Sequence, residues 1–328
     1  CGIHTLEMYV DEALNYRHVM DDFAFSETRY INAHIDYPLR SLSGKKAHRL
    51  YRLPNNRLRI YDQQAGNQVL VVKEKRDYRV RILATDVAGN RSELRFTLEG
   101  DPLTKVPAAQ ADGYVKTMKY KQANSFIHDQ LRVDIPANAL YEDMDFTFAI
   151  TPPDAIAITP FYQVGSEQVP VHKAYTLSLK CPPVDPSLQK KLLLITRNDQ
   201  NEIAQAGGVY TDGFVVASLR NFGSFAIGLD TIAPSITPRN GTATGDLSGK
   251  DKLSFTILDD LSGIERYEGY IDNRWALCDF DPKNDLLGFH FDVEHIGGGG
   301  EQVVVLCVEA GSGHVDVGEG GGGWGGGG

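Results

Sequence analysis

The sequence predicts an all-β chain of three consecutive β-sandwich domains with a Gly-rich tail. Three observations carry this. Apolar residues recur with a period of two in every third of the chain, helical periodicity of any length is missing from residues 1–100 and "PPVDPSLQKK" suits a loop with at most one helical turn, and Asp, Asn, Gly and Pro punctuate the alternating runs. The 328 residues suffice for two or three domains with sizeable cores. The predicted domains are residues 1–100, truncated at its N-terminus, then 101–229, 230–318 and the tail 319–328.

In the first domain, Leu6, Met8 and Val10 alternate with polar neighbours, and "DEAL" (11–14) reads as a turn. A polar, aromatic-rich excursion, "FAFSETRYINAHIDY", follows. The domain closes with "YRVRILATDVAGNRSELRFTLEG" (78–100). Tyr78, Val80, Ile82 and Ala84 share one face of a strand, and Leu94, Phe96 and Leu98 are expected to face inward from the next. Between them Asp86 is placed to accept backbone N–H groups, and Gly89 and Asn90 tolerate positive φ, so the segment is a β-hairpin.

The second domain begins after the linker "DPLTKVPAAQADG". Leu131, Val133 and Ile135 alternate into a Pro turn, and Phe146, Phe148 and Ile150 alternate after it. "AYTLSLKC", "KLLLITRN", "GGVYTDGFVVASL" and "GSFAIGLD" supply further strands. The third domain leads in with "DTIAPSITP". Leu253, Phe255 and Ile257 form one strand face, and "YEGYIDNRWALCDF" is a hairpin about Asp272 and Asn273. Residues 297–328 hold 15 of the 33 glycines, so no function is read from His314, Trp324 or the glycines there.

A formal charge of −10 and the lack of a long Lys/Arg run argue against general nucleic-acid binding. No stretch approaches the ~18 apolar residues of a membrane helix. Cys1, Cys181, Cys278 and Cys307 are too widely spaced for a zinc pattern or a dense disulfide framework. A Cys278–Cys307 bridge demands a close approach that sequence does not supply.

Three groups of residues offer candidate chemistry. His18 and Asp22 have H-x-x-x-D spacing but lack the third ligand a catalytic zinc needs. Asp279, Asp281, Asn284 and Asp285, with the Asp pair at 259, offer carboxylates for calcium without EF-hand spacing, and read as turn residues. His34 and Asp36 share a face on extended chain, yet no nucleophile or oxyanion donor accompanies them. No catalytic, cofactor-binding or metal residue is assigned.

"SETRYINAHIDY", "LPNNRLRIYD" and "VRILATDVAGNRSELRFTLEG" together resemble the region that follows the catalytic domain in lysostaphin/LytM-type envelope metallopeptidases of Bacteroidetes. "DTIAPSITP" with "DDLSGIERYEGYIDNRWALCDFDPKNDLLGFHFD" is similar to their last Ig-like domain, and "RVDIPANALYEDMDFTF" to their ZU-like middle domain. The resemblance covers residues 1–295. It implies Ig-like, ZU-like and Ig-like domains in turn, and an accessory, non-catalytic role beside a peptidoglycan-cleaving zinc domain.

The family's ligands are a His and an Asp in H-x-x-x-D and a His in H-x-H. The chain has no H-x-H, so no ligand carries over. Zinc is expected only in a catalytic domain outside these residues, and the chain alone is expected to lack zinc-dependent hydrolase activity. The implied location is extracytoplasmic, periplasm or outer membrane, with envelope proteins as partners. Lipidation of Cys1 is the rival to an internal Cys at a fragment's start. A non-enzymatic subunit of an outer-membrane assembly and a carbohydrate-binding or adhesion module are the alternatives. The last would lean on Trp275, which alternates like a core residue.

Overall fold

The computed structural model describes residues 2–66, 69–102, 112–198, 200–239, 252–290, 300–311 and 315–324. It is nearly all β, with 53% of residues in strands and 8% in helices, arranged as several antiparallel sheets of sandwich type. Cys1, His314 and most of the 101–113 linker lie outside the described residues. The chain divides into two compact units. One holds Cys1–Ile150, Tyr162–Leu177 and Ser218–Ser224; the other holds Thr151–Phe161, Ser178–Ala217 and Phe225–Gly328.

The first unit opens with β1 (Ile3–Val10) and β2 (Ala13–Val19), joined at Asp11 and Glu12, which both take positive φ. After an excursion come β3 (Asp77–Asp86) and β4 (Arg91–Glu99), giving a four-stranded sheet in the order β2-β1-β3-β4. The β3–β4 turn is built as its residues dictate. Asp86 N–H donates to Asn90 O (3.0 Å) and Gly89 N–H to Asp86 O (3.1 Å). Asp86 Oδ1 accepts the N–H groups of Ala88 and Asn90, both at 2.9 Å, and Gly89 sits at φ +84°.

Two expectations for this region need correction. Leu94, Phe96 and Leu98 do share a face with Tyr78, Val80 and Ile82, opposite which they are registered. They lie on the side where Tyr78 and Val80 are buried, but they are poorly covered there: Leu94 is 57% exposed, Phe96 39% and Leu98 40%, because β4 is the outer strand at the end of the sheet. The excursion also contains helix. A 3₁₀ turn (Phe25–Tyr30) leads into α1 (Ile31–His34), and α2 (Tyr37–Ser43) follows. Local chemistry explains them better than periodicity. Asp36 caps α2 by accepting Leu39 N–H (3.0 Å), Pro38 occupies its first turn, and Gly44 at φ +69° ends it.

Strands β5 (Tyr114–Met118), β6 (Asn124–His128), β7 (Leu131–Ile135), β8 (Met144–Thr151), β9 (Phe161–Val164), β10 (Pro170–Lys180), β11 (Leu192–Arg197), β12 (Ile203–Gly207), β13 (Val209–Thr211), β14 (Phe214–Asn221) and β15 (Gly223–Leu229) fall into a five-stranded and a six-stranded sheet. Leu131, Val133 and Ile135 are buried, as their alternation predicts. On β8 the pattern holds at Phe146 and gives out at Ile150, which is 48% exposed near the strand end. In the first unit Asn55 ties the excursion to the turn before β8, donating from Nδ2 to Leu140 O (2.8 Å) and Asn138 O (3.3 Å).

In the second unit, β16 (Ser235–Pro238), β17 (Lys252–Leu258), β20 (Cys278–Asp281) and β21 (Leu286–His290) form a sheet in the order β16-β17-β21-β20. The other sheet, β19-β18-β22-β23, takes β18 (Ile264–Ile271), β19 (Arg274–Ala276), β22 (Gly300–Ala310) and β23 (Val315–Trp324). Leu253, Ile257, Ile271, Leu287, Phe289, Leu306 and Val308 share one core. Asp272 and Asn273 both have positive φ and turn β18 into β19. Trp275 departs from its core-like reading: it is 58% exposed, and Ala276 is the buried residue of this three-residue strand. Cys181, Cys278 and Cys307 are free thiols, so no Cys278–Cys307 bridge forms.

Candidate metal centre

The site begins with the alternation of β2. Tyr16 and His18 lie two residues apart on one face, opposite Met8 and Leu6 of β1, and both are fully buried. The excursion leaves β2 and returns to pair along its outer edge. Val19 N–H donates to Ile60 O (2.8 Å), and His18 forms an antiparallel bridge with Tyr61. Within the excursion, Ile35 bridges His48, Asp36 N–H donates to Ala47 O (2.8 Å), and Arg49 N–H to His34 O (3.0 Å). These backbone bonds place His34, the last residue of α1, and His48, on the returning chain, beside His18. Tyr16, Leu58, Ile60 and Tyr61 form the apolar surround, with Met8, Met20, Tyr30 and Leu50 packed against it.

A nitrogen from each of His18, His34 and His48 lies within 4.8 Å of one from each of the others. The His34 ring stands edge-on to the other two, at centroid distances of 4.6 Å from His18 and 5.0 Å from His48. His18 and His48 stack at 5.5 Å with planes 9° apart. His18 Nδ1 is 3.0 Å from the Tyr16 hydroxyl, and His34 Nδ1 is 3.1 Å from the Tyr61 hydroxyl, which accepts Asn56 Nδ2–H at 2.9 Å. His34 Nε2 lies 3.0 Å from His48 Nδ1. His18 Nε2 is buried and has no hydrogen-bond partner among the described residues.

Burial sets the charge state. It holds His18 down to about 4 and His34 down to about 3, with the neighbouring imidazoles pushing the same way, and it lowers half-buried His48 as well. Burial likewise pushes the Tyr16 and Tyr61 hydroxyls far up, so both stay protonated. The cluster is therefore three neutral imidazoles between two phenols, the protonation state in which a histidine ligates a metal.

The other residues singled out from the sequence lie elsewhere. Asp22 is exposed and does not join the cluster. Asp36 caps α2 and so is not an acid–base partner of His34. Asp281 accepts Lys283 N–H (3.0 Å) and Asn284 Nδ2–H (2.6 Å), the bonds of a plain turn. Asp259 and Asp260 group with Asp230, not with Asp279–Asp285. Asp230 accepts Ile232 and Ser262 N–H, and Asp259 accepts Leu261 and Gly263 N–H, which fastens the turn between β17 and β18. His48 and Tyr61 belong to no ligand motif in the sequence. The available signal was density: three of the nine histidines fall between positions 18 and 48.

Residues 115–230 match the Zu5-like domain. No curated protein matches the chain. Among solved structures, it is similar to SGBP-B of the Bacteroides ovatus mixed-linkage glucan utilization locus, in complex with a mixed-linkage heptasaccharide (8% identity, 98% of this chain and 60% of that one, TM-score 0.19). It is also similar to a structure concerned with host cell surface retention of a 1.5-MDa bacterial ice-binding adhesin (10% identity, 76% and 73%, TM-score 0.21). A third is a Ca2+-stabilized adhesin of an Antarctic bacterium that binds ice (8% identity, 98% and 89%, TM-score 0.21). The chain thus spans less than two thirds of the first of these proteins. Among the described residues, no helix is long and apolar enough to cross a membrane.

Proposed function

We propose that the chain is a non-catalytic docking region of an extracytoplasmic envelope protein, of the accessory kind that follows the zinc domain in lysostaphin/LytM-type metallopeptidases. The observation that carries this reading is the uncovered β4 end of the first sheet's apolar face. Leu94, Phe96 and Leu98 present a contiguous apolar row on an outer strand, flanked by the charges of Arg91, Glu93 and Arg95 on the alternate positions. Such a row on a sheet edge suits a partner surface. The sequence motifs from residue 26 to 100 supply the kind of protein.

The test begins with the coding sequence upstream of Cys1. The reading expects a domain there with H-x-x-x-D and H-x-H. Produced separately, that domain should bind this chain, and Leu94→Lys with Phe96→Lys should weaken binding at least tenfold with the melting curve unchanged. No such domain, or no binding, overturns the proposal.

A second reading is favoured by Trp275, which is exposed on β19 opposite Tyr270 of β18. An exposed indole beside a phenol is a surface on which a sugar ring can stack. Loss of polysaccharide retention in Trp275→Ala would select this reading over docking.

A further inference from the structure

We propose that His18, His34 and His48 form a three-imidazole site for a divalent transition-metal ion of the zinc class, which staples the 20–66 excursion onto the first sheet. This goes beyond the docking reading, which assigns the chain no metal.

The first support is the orphaned atom. His18 is wholly buried, and whichever way the Tyr16 hydroxyl is turned on Nδ1, Nε2 is left without a partner among the described residues. A buried, unsatisfied ring nitrogen is an expensive arrangement. It faces a cluster whose other ligand-type atoms belong to His34 and His48.

The second support is the outer ring of bonds. A ligating histidine commonly has its other nitrogen held by a hydrogen bond that fixes the ring and the tautomer. His18 has Tyr16 on Nδ1, leaving Nε2 to ligate. His34 has Tyr61 on Nδ1, itself held by Asn56, leaving Nε2. His34 Nε2 and His48 Nδ1, 3.0 Å apart, are slightly closer than the ~3.3 Å that separates two nitrogens of a tetrahedral zinc site with ~2.0–2.1 Å bonds, so only a small parting of the rings admits the ion. The adjustment falls on His48, half-buried on the returning chain, and its side also admits solvent as a fourth ligand.

Imidazole ligands select zinc, copper, nickel and related ions over calcium or magnesium. The three histidines come from β2, the end of α1 and the returning chain, so one ion cross-links segments otherwise joined by apolar packing, a few backbone bonds and side-chain bonds such as the Arg17–Asp62 ion pair (3.1 Å). The role assigned is that of a cross-link between the three segments, with solvent reaching the ion only from the side of half-buried His48.

The test uses the whole chain, stripped with chelator and titrated with Zn2+ and separately with Co2+. The expected result is one Zn2+ retained per chain after dialysis and a raised melting temperature. Co2+ should give the intense visible bands of tetrahedral nitrogen ligation, a readout that needs no variant. His48→Gln, at a half-buried position, should keep the native amide-exchange pattern and lose at least tenfold in affinity. Tyr16→Phe should lose about 10–100-fold, as second-sphere partners do. His4→Gln with His290→Gln, outside the cluster, should change nothing. No retained zinc and no tetrahedral Co2+ spectrum in the unaltered chain overturns the proposal, as does zinc affinity indifferent to His48→Gln.

Discussion

Two glycines of the first sheet separate backbone conformation from space, and substituting each makes a quantitative prediction. Gly89, in the β3–β4 turn, has φ +84°, and a Cβ built on it meets nothing within 4 Å. Its substitution is costly only through the left-handed backbone. Gly89→Ala should cost about 1 kcal/mol and Gly89→Val about 1–3 kcal/mol, because β-branching is worst tolerated there. Gly89→Asn should be nearly neutral, since Asn visits this region readily. Gly100, at the end of β4, is the opposite case. Its φ lies outside the left-handed range, but a Cβ would lie 2.5 Å from Tyr78 Cε2 and 2.9 Å from the carbonyl oxygens of both Arg76 and Glu74. Two of these are backbone atoms, and the ring is held under the Arg76 guanidinium at 3.9 Å, so nothing yields cheaply. Gly100→Ala should cost about 3 kcal/mol, the upper end for overpacking. Urea titration with hydrogen exchange read at the β3 and β4 amides measures both. Equal costs for Gly89→Asn and Gly89→Val, or a neutral Gly100→Ala, would refute the reasoning.

Other expected outcomes follow from the same geometry. With metal removed, the first unit should lose stability as pH falls. The unfolded histidines bind protons near 6.5, while His18 and His34 stay neutral down to about 4 and 3, so stability is full above about pH 7 and drains between 6.5 and 3. The loss by pH 5.5 should be on the order of 1 kcal/mol for each of the two, read as the urea midpoint, and His18→Gln with His34→Gln should remove most of it. Asn55→Ala should cost about 1–3 kcal/mol, because it strips the partner from the buried Leu140 carbonyl; thermal melts check this. Cys278, whose thiol burial pushes up to about 11, should resist alkylation at pH 7.5 in the native chain and react on unfolding, as intact mass would record. Acrylamide should quench a large share of native tryptophan emission through exposed Trp275, and quenching unchanged by Trp275→Phe would contradict its placement.

Sequence period reveals which residues share a strand face, and in β3, β4, β7 and β17 those groupings stand. It does not reveal whether anything covers the face. Leu94, Phe96 and Leu98 are grouped correctly and left open, since cover depends on what lies across the sheet and not on the strand's own residues. Phase is a second weak point. A three-residue strand such as Arg274–Ala276 offers too little alternation to decide between Trp275 and Ala276, and the smaller side chain went inside. Turns were more legible because their chemistry is local. Asp86, Gly89 and Asn90 carry the reason for the β3–β4 turn within five residues, and Asp272–Asn273 does so within two. The short helices of the excursion escape a reading by period: Asp36, Pro38 and Gly44 announce α2 by its caps, while seven residues are too few to show a period.

The histidine cluster shows where local reading ends. Each of its members is ordinary by itself: His18 continues the alternation of β2, His34 ends a four-residue helix, and His48 sits in a polar stretch. Their spacings match no ligand motif because no single element holds two of them. What joins them is the Ile35–His48 bridge and the return of Tyr61 to His18, contacts between positions 13 and 43 residues apart. Metal motifs are recognisable in sequence when one helix or turn fixes two ligands at a short spacing. A site whose ligands come one from each of three segments leaves no such trace, so its signature is physical. It is the combination of two fully buried rings beside a half-buried third, neutral imidazoles, and one ring nitrogen with no partner among the described residues. The arrangement also ties fold to function. The excursion that carries His34 and His48 lies on the sheet whose far edge is the open β4 row, so whatever fixes the excursion fixes the platform from which that row is presented.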